Sequence, residues 1–165
     1  TYKENDLTYD SFNKGKLESQ LAYDGNYKAY FEFIADSLKR YSSQRDKQKG
    51  EAFVHGFTLA MTSQNQFYRP ISELDNDGGY ADIFLSPLCD IYKDMVDSYI
   101  IELKYCKTNT ADEQLQVLFK EASAQICRYA NSDIVKESVK TPKLHKLVVI
   151  YRGAEMVMCE EVTEE

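Results

Sequence analysis

The 165-residue sequence has no run of apolar residues near the roughly 20 that a membrane-spanning helix needs. It shows no secretory signal pattern. It also has no CxxC pair: Cys89, Cys106, Cys127 and Cys159 are widely spaced. That spacing argues against a structural zinc site and a dense disulfide framework, so reduced thiols in a cytoplasm are expected. Tryptophan is absent, although there are 13 Tyr and 8 Phe. No internal repeat or low-complexity segment is visible. Acidic residues outnumber basic ones, 27 to 20, and the formal net charge of −7 weighs against nucleic-acid binding, which usually needs a basic footprint. The chain opens TYKEND without an initiator Met, so a fragment of a longer protein is expected.

What is present is an ordinary globular composition, 43% hydrophobic and 28% charged, long enough for one domain with a real core. Charge is uneven along it. The end, CEEVTEE, is acidic, whereas Lys136, Lys140, Lys143, Lys146 and Arg152 face only Glu137 in a local basic strip. Such a strip could meet phosphates, and a solvated loop and strand edge is the plain alternative for any one lysine.

Residues 1–15 are weakly patterned and expected to be a linker or tail. Leu17 to Tyr23 fits a short helix ended by Asp24-Gly25. Asn26 is then placed to cap a helix whose Tyr27, Tyr30, Phe31, Ile34, Leu38 and Tyr41 recur at helical spacing. After the polar break SSQRDKQKG, a helix is expected over about Asp46 to Ser63, with Phe53, Phe57, Ala60 and Met61 turned inward. Strands are expected in QFYRPISE, GYADIFLSP and SYIIELKY, with DNDGG as a turn between the first two. CDIYKDMVD reads as an irregular connection. Thr110 with Glu113 fits a capping box for a helix carrying Leu115, Leu118, Phe119, Ala122, Ile126 and Tyr129. A basic loop leads to the strand HKLVVIYR, a turn at Gly153 and a last strand, EMVMCEE. The order predicts an α/β fold: a mixed central sheet flanked by helices.

Within SYIIELKY, Tyr99, Ile101, Leu103 and Tyr105 share one face and Ile100, Glu102 and Lys104 the other. Apolar residues on both faces imply a central, covered strand. A carboxylate and an ammonium there are costly unless paired or metal-bound. A structural Glu102–Lys104 ion pair is the plain alternative. Asp82, in GYADIFL, is a second acid inside an apolar strand. Two carboxylates brought together need a cation between them. Mg²⁺ suits hard oxygen ligands, and metal-bound water is a ready nucleophile toward phosphorus. Lys104 is placed to orient that water or to stabilise charge on the phosphoryl oxygens.

Gly79-Tyr80-Ala81-Asp82 resembles the GxxD motif of PD-(D/E)XK nucleases, and Glu102-Leu103-Lys104 resembles their ExK. Gln125 and Tyr129 resemble the QxxxY of RecB-type nuclease domains, and Glu51 and His55 the ExxxH on the preceding helix. More closely, Leu17 to Glu161 resembles the C-terminal module of AAA-ATPase-like proteins abundant in Bacteroidetes. The resemblance implies a restriction-endonuclease-like fold, with residues 1–45 as an N-terminal helical extension on a core of 46–165. It implies a metal-dependent nuclease acting on DNA with Mg²⁺ (or Mn²⁺), attached to an N-terminal ATPase domain. Asp82, Glu102 and the carbonyl of Leu103 would bind metal, with Glu51 auxiliary and His55 its rival. Lys104 would be the catalytic cation, Gln125 would hold the lysine or its strand, and Tyr129 would touch substrate or brace its helix. For Gln125 and Tyr129, simple packing of the helix on the sheet stays open, as does a satisfied core histidine for His55. Glu73 is a further acid near the site. The competing expectation is a non-catalytic nuclease-fold module that docks an ATPase or holds a nucleic acid, for which exposed tyrosines and the acidic tail would serve.

Overall fold

SYIIELKY is apolar at both parities, and the strand it forms, β3 (Asp97–Cys106), is the middle of a five-stranded sheet. The computed structural model of the chain describes residues 2–43, 50–72 and 83–163, with side chains from Phe12 onward. The other strands are β1 (Tyr68–Ser72), β2 (Ile83–Pro87), β4 (Lys143–Arg152) and β5 (Glu155–Glu161), ordered β1-β2-β3-β4-β5. The β3–β4 pair is parallel and the other pairs are antiparallel. A parallel pair needs a crossover, here α4 (Asp112–Ala130) and α5 (Asp133–Ser138). Before the sheet come α1 (Tyr2–Asp24), α2 (Tyr27–Tyr41) and α3 (Glu51–Ser63). The mixed sheet flanked by helices, with a helical N-terminal segment, is the expected restriction-endonuclease-like α/β arrangement.

Strand parity divides the core. Tyr99, Ile101, Leu103, Leu147, Val149 and Tyr151 pack with residues of α1, α2 and α3 on one face. Phe84 and Ile100 pack with Ile126, Tyr129 and Val135 on the other, where Val148 and Ile150 meet Leu115 and Ala122. Gly25 (φ +66°) makes the turn between α1 and α2 in a left-handed conformation that glycine takes without strain. At Gly153 (φ +63°), between β4 and β5, a Cβ would also lie 2.6 Å from the Thr108 methyl.

Several local expectations change. The segment expected to be a tail is helical from Tyr2 onward. Leu17, Leu21 and Ala22 dock the end of α1 on the core, and no proline stops the helix from continuing toward the N-terminus. Helix α3 begins at Glu51, and Asp46 lies outside the described residues. Of its expected inward residues, Phe53, Phe57 and Met61 pack half-buried against the core and Ala60 is exposed, while the fully buried positions are Val54, Thr58 and Thr62. The threonines can be buried because their hydroxyls donate to Val54 O (2.8 Å) and Thr58 O (2.9 Å). The Thr110–Glu113 capping box does not form, because Ala111 holds the cap position. Arg152 ties down that helix start instead, with Nη1 3.2 Å from Thr110 O and 2.6 Å from Asp112 Oδ1. The basic loop contains the short helix α5. Among the described tyrosines only Tyr41 is largely exposed, so the tyrosine-rich contact surface is not found there.

Candidate active site

Helix α4 lies over β3 and β4, and its Leu115, Ala122, Ile126 and Tyr129 are buried at helical spacing. Gln125 lies three residues after the buried Ala122 and four before the buried Tyr129, on the stripe that faces the Glu102 and Lys104 side of β3. Lys104 Nζ donates to Gln125 Oε1 at 3.2 Å and lies 2.8 Å from Glu102 Oε1. The Glu102 side chain is 1% exposed and that of Lys104 24%. The carboxylate is thus embedded and the ammonium reaches the protein surface. The ExK strand and the QxxxY helix, far apart in sequence, meet at this one nitrogen.

The other expected residues fall out as follows. Leu103 is buried on the opposite face with Tyr99 and Ile101. Tyr129 is 3% exposed and packs with Phe84, Ile100 and Ile126. Helix α3 packs against β1 and β3. Glu51, in its first turn, is exposed. His55 is half-buried, with Nε2 3.3 Å from Ser72 Oγ. Glu73, Gly79, Tyr80, Ala81 and Asp82 lie outside the described residues. Among the described residues no group of three His, Cys, Asp or Glu side chains is arranged to hold a metal ion.

The basic strip is not one surface. Lys140 pairs with Asp90 at 2.8 Å, Lys143 lies 4.0 Å from Glu161 and Arg152 meets Asp112. Exposed pairs of this kind contribute little stability, but they spread the strip's charge over three neighbourhoods. Lys146 is on the face of Glu102 by its pairing with Ile100.

A second charged cluster sits on the opposite face of the sheet. His145 Nε2 is 2.6 Å from Asp97 Oδ1, and Nδ1 is 2.8 Å from Glu161 Oε1. Tyr99 stacks on the imidazole, with centroids 5.0 Å apart and planes at 17°. The Tyr99 hydroxyl donates to Leu21 O at 2.7 Å and Tyr68 donates to Asp97 O at 2.7 Å. Burial holds both phenols well above their ordinary range, so both stay protonated donors. The only hint of this cluster in the sequence is the parity of His145 with the inward Leu147 and Val149.

No curated protein and no solved structure matches the chain. The model of the PD-(D/E)XK nuclease superfamily matches residues 49–161. That span takes in α3, every strand described above and both crossover helices, and so includes the Glu102–Lys104–Gln125 contact. With most of its length matched in this way, the chain belongs to the PD-(D/E)XK nuclease superfamily.

Proposed function

We propose that the chain is a metal-dependent nuclease that hydrolyses phosphodiester bonds, with DNA as substrate and Glu102, Lys104 and Asp82 at its centre. The observation that carries this reading is the double tether of Lys104 to Glu102 and Gln125 inside a covered strand. A structural ion pair needs only the carboxylate. A second, neutral acceptor from another element fixes the direction in which the ammonium points.

Glu102 and Asp82 would hold the metal, with the Leu103 carbonyl adding a ligand and Glu51 auxiliary. These are all hard oxygen donors, the set that suits Mg²⁺, with Mn²⁺ as a substitute. When bound, the metal lowers the pKa of a water and offsets charge on the phosphoryl oxygens. In the β2–β3 pairing Ile83 lies opposite Ile101. Asp82 directly precedes Ile83 in sequence and Glu102 directly follows Ile101, which supports the two acids acting together.

The chain's own residues supply the rest. Lys104 donates hydrogen bonds to the non-bridging phosphate oxygens as negative charge builds on them. Gln125 and Glu102 hold its ammonium before substrate arrives, so little reorganisation is needed at the moment of reaction. Tyr129 keeps α4, and with it Gln125, at a fixed height above β3. The test is cleavage of single- and double-stranded DNA and RNA with Mn²⁺ by wild type and Lys104→Ala. Metal-dependent cleavage that survived the substitution would remove Lys104 from the mechanism.

The proposal extends to the setting. Residues 46–165 form the nuclease core and 1–45 its helical extension. The superfamily match beginning at residue 49 supports that division. The packing of Leu17, Leu21, Tyr30 and Phe31 on the core supports a close association of the two. An ATPase domain N-terminal to this chain, in a cytoplasmic protein, rests on the resemblance to AAA-ATPase-like proteins. ATP-dependent cleavage by the longer protein, absent from this chain alone, is the result that would support it.

A further inference from the structure

A cleft of about 520 Å³ opens on the side of the sheet that carries Glu102 and Lys104. Its walls include Arg69 and Ile71 of β1, Ser86 of β2, Ile91 of the following loop, and Ile134 and Lys140 across from them. Ile71 lies opposite Phe84, and Phe84 opposite Ile100. Its near end is therefore one two-residue step from the level of Glu102, about 7 Å along the strands. It runs away from that level toward Arg69, which pairs with Ser86.

The lining has two characters. Ile91 is 69% exposed and Ile134 38%, so apolar surface remains open to solvent. Arg69 is exposed and makes no ion pair with any described residue, whereas Lys140 is already met by Asp90. A guanidinium that no described residue pairs, beside apolar walls, matches a ligand with phosphates along one edge and unpaired bases along the other. A duplex keeps its base faces stacked inside, where the apolar walls of the cleft cannot meet them. The net charge of −7 also gives no broad field to hold a duplex.

We propose that this cleft carries the single strand of nucleic acid leading to the Glu102–Lys104 site, with Arg69 as the positioning residue for a backbone phosphate. The proposal rests on the nuclease reading above, and binding and cleavage measured separately tell the two apart. Binding of fluorescein-labelled oligodeoxythymidylate, and of its duplex with oligodeoxyadenylate, is measured by anisotropy in EDTA across a salt series. Cleavage of the same oligonucleotides is measured with Mn²⁺. Wild type should prefer the single strand. Arg69→Glu should weaken binding about tenfold and reduce the salt slope by about one. It should raise KM with kcat unchanged. Ile134→Glu, which sets a carboxylate on the apolar wall, should weaken binding as well. If both variants lose binding while wild type binds without cutting, the cleft stands and the nuclease reading falls. If wild type cuts and both variants keep its affinity, KM and salt slope, the cleft is refuted and the nuclease reading stands. Equal affinity for the duplex, or no binding of either nucleic acid, also overturns the proposal.

Discussion

Glu102–Lys104–Gln125 and Asp97–His145–Glu161 occupy opposite faces of one sheet and share β3, yet they are put together differently. At His145 both ring nitrogens face carboxylates, Tyr99 covers the ring, and Asp97 lies under the Gly25 turn. The cluster joins β3, β4 and β5 beneath the α1–α2 turn; the His145 and Asp97 side chains are 7% exposed and Glu161, at 27%, is its outer member. At Lys104 the carboxylate is equally embedded, but the ammonium is 24% exposed and its second partner is a neutral amide. Burial of charge therefore does not by itself identify a reactive site. The difference is which charge is exposed: at Lys104 it is the ammonium, which a phosphate can approach, and at His145 it is the Glu161 carboxylate, which would repel one.

Four experiments can break or sharpen that contrast. Lys104→Ala should lower metal-dependent cleavage by about ten-thousandfold, equivalent to about 5 kcal/mol of barrier. It should cost less stability than a change at His145, since water can reach the position left behind. Unfolding curves beside cleavage rates check this, and a strongly destabilised variant that still cuts would make the pair structural. His145→Ala should cost about 3–5 kcal/mol in urea unfolding, because it leaves the buried Asp97 carboxylate without its ring partner. A loss below about 1 kcal/mol would place that cluster among ordinary surface pairs.

Gln125→Ala removes a hydrogen bond to a charged group, about 1.5–3 kcal/mol, so kcat should fall about ten- to a hundredfold. Unchanged kcat would mean that Glu102 alone orients the lysine. The smallest effect concerns pH. Burial pushes the Cys159 thiol up from 9.0 to about 12, and raises the phenols of Tyr30, Tyr68, Tyr99 and Tyr151 as well. The folded chain keeps these protons where the unfolded chain releases them, so stability is full below pH 9 and falls above it. At pH 10 the thiol alone should cost about 1.4 kcal/mol. Thermal melting at pH 8 and pH 10 checks this, and Cys159→Ala should reduce the difference.

Much of the site was legible because strand parity is a property of the chain itself. Glu102 and Lys104 were expected on one face, with Ile101 and Leu103 on the other, and the core clusters divide that way. The helical spacing from Leu115 to Tyr129 likewise anticipated the burial of Leu115, Ala122, Ile126 and Tyr129, although Leu118 and Phe119 are only half-buried. The burial of Thr58 and Thr62 in α3 was not anticipated, because a polar side chain bonded to its own helix backbone buries as an apolar one does. The failed capping box and the divided basic strip share a cause. Arg152, Lys140 and Lys143 found carboxylates that are distant in sequence or on another strand.

The sequence by itself determined which residues face the core and which two charges share a covered strand, because alternation and helical period act over a few residues. It also held the turns at Gly25 and Gly153, where only the backbone's own geometry is at issue. Tertiary structure alone decided that Gln125 would reach Lys104, that His145 would meet two carboxylates, and that a cleft would open between Arg69 and Ile134. Each joins groups 16 to 65 positions apart in the chain, and the energy of such a contact exists only after the sheet and helix α4 have brought them together.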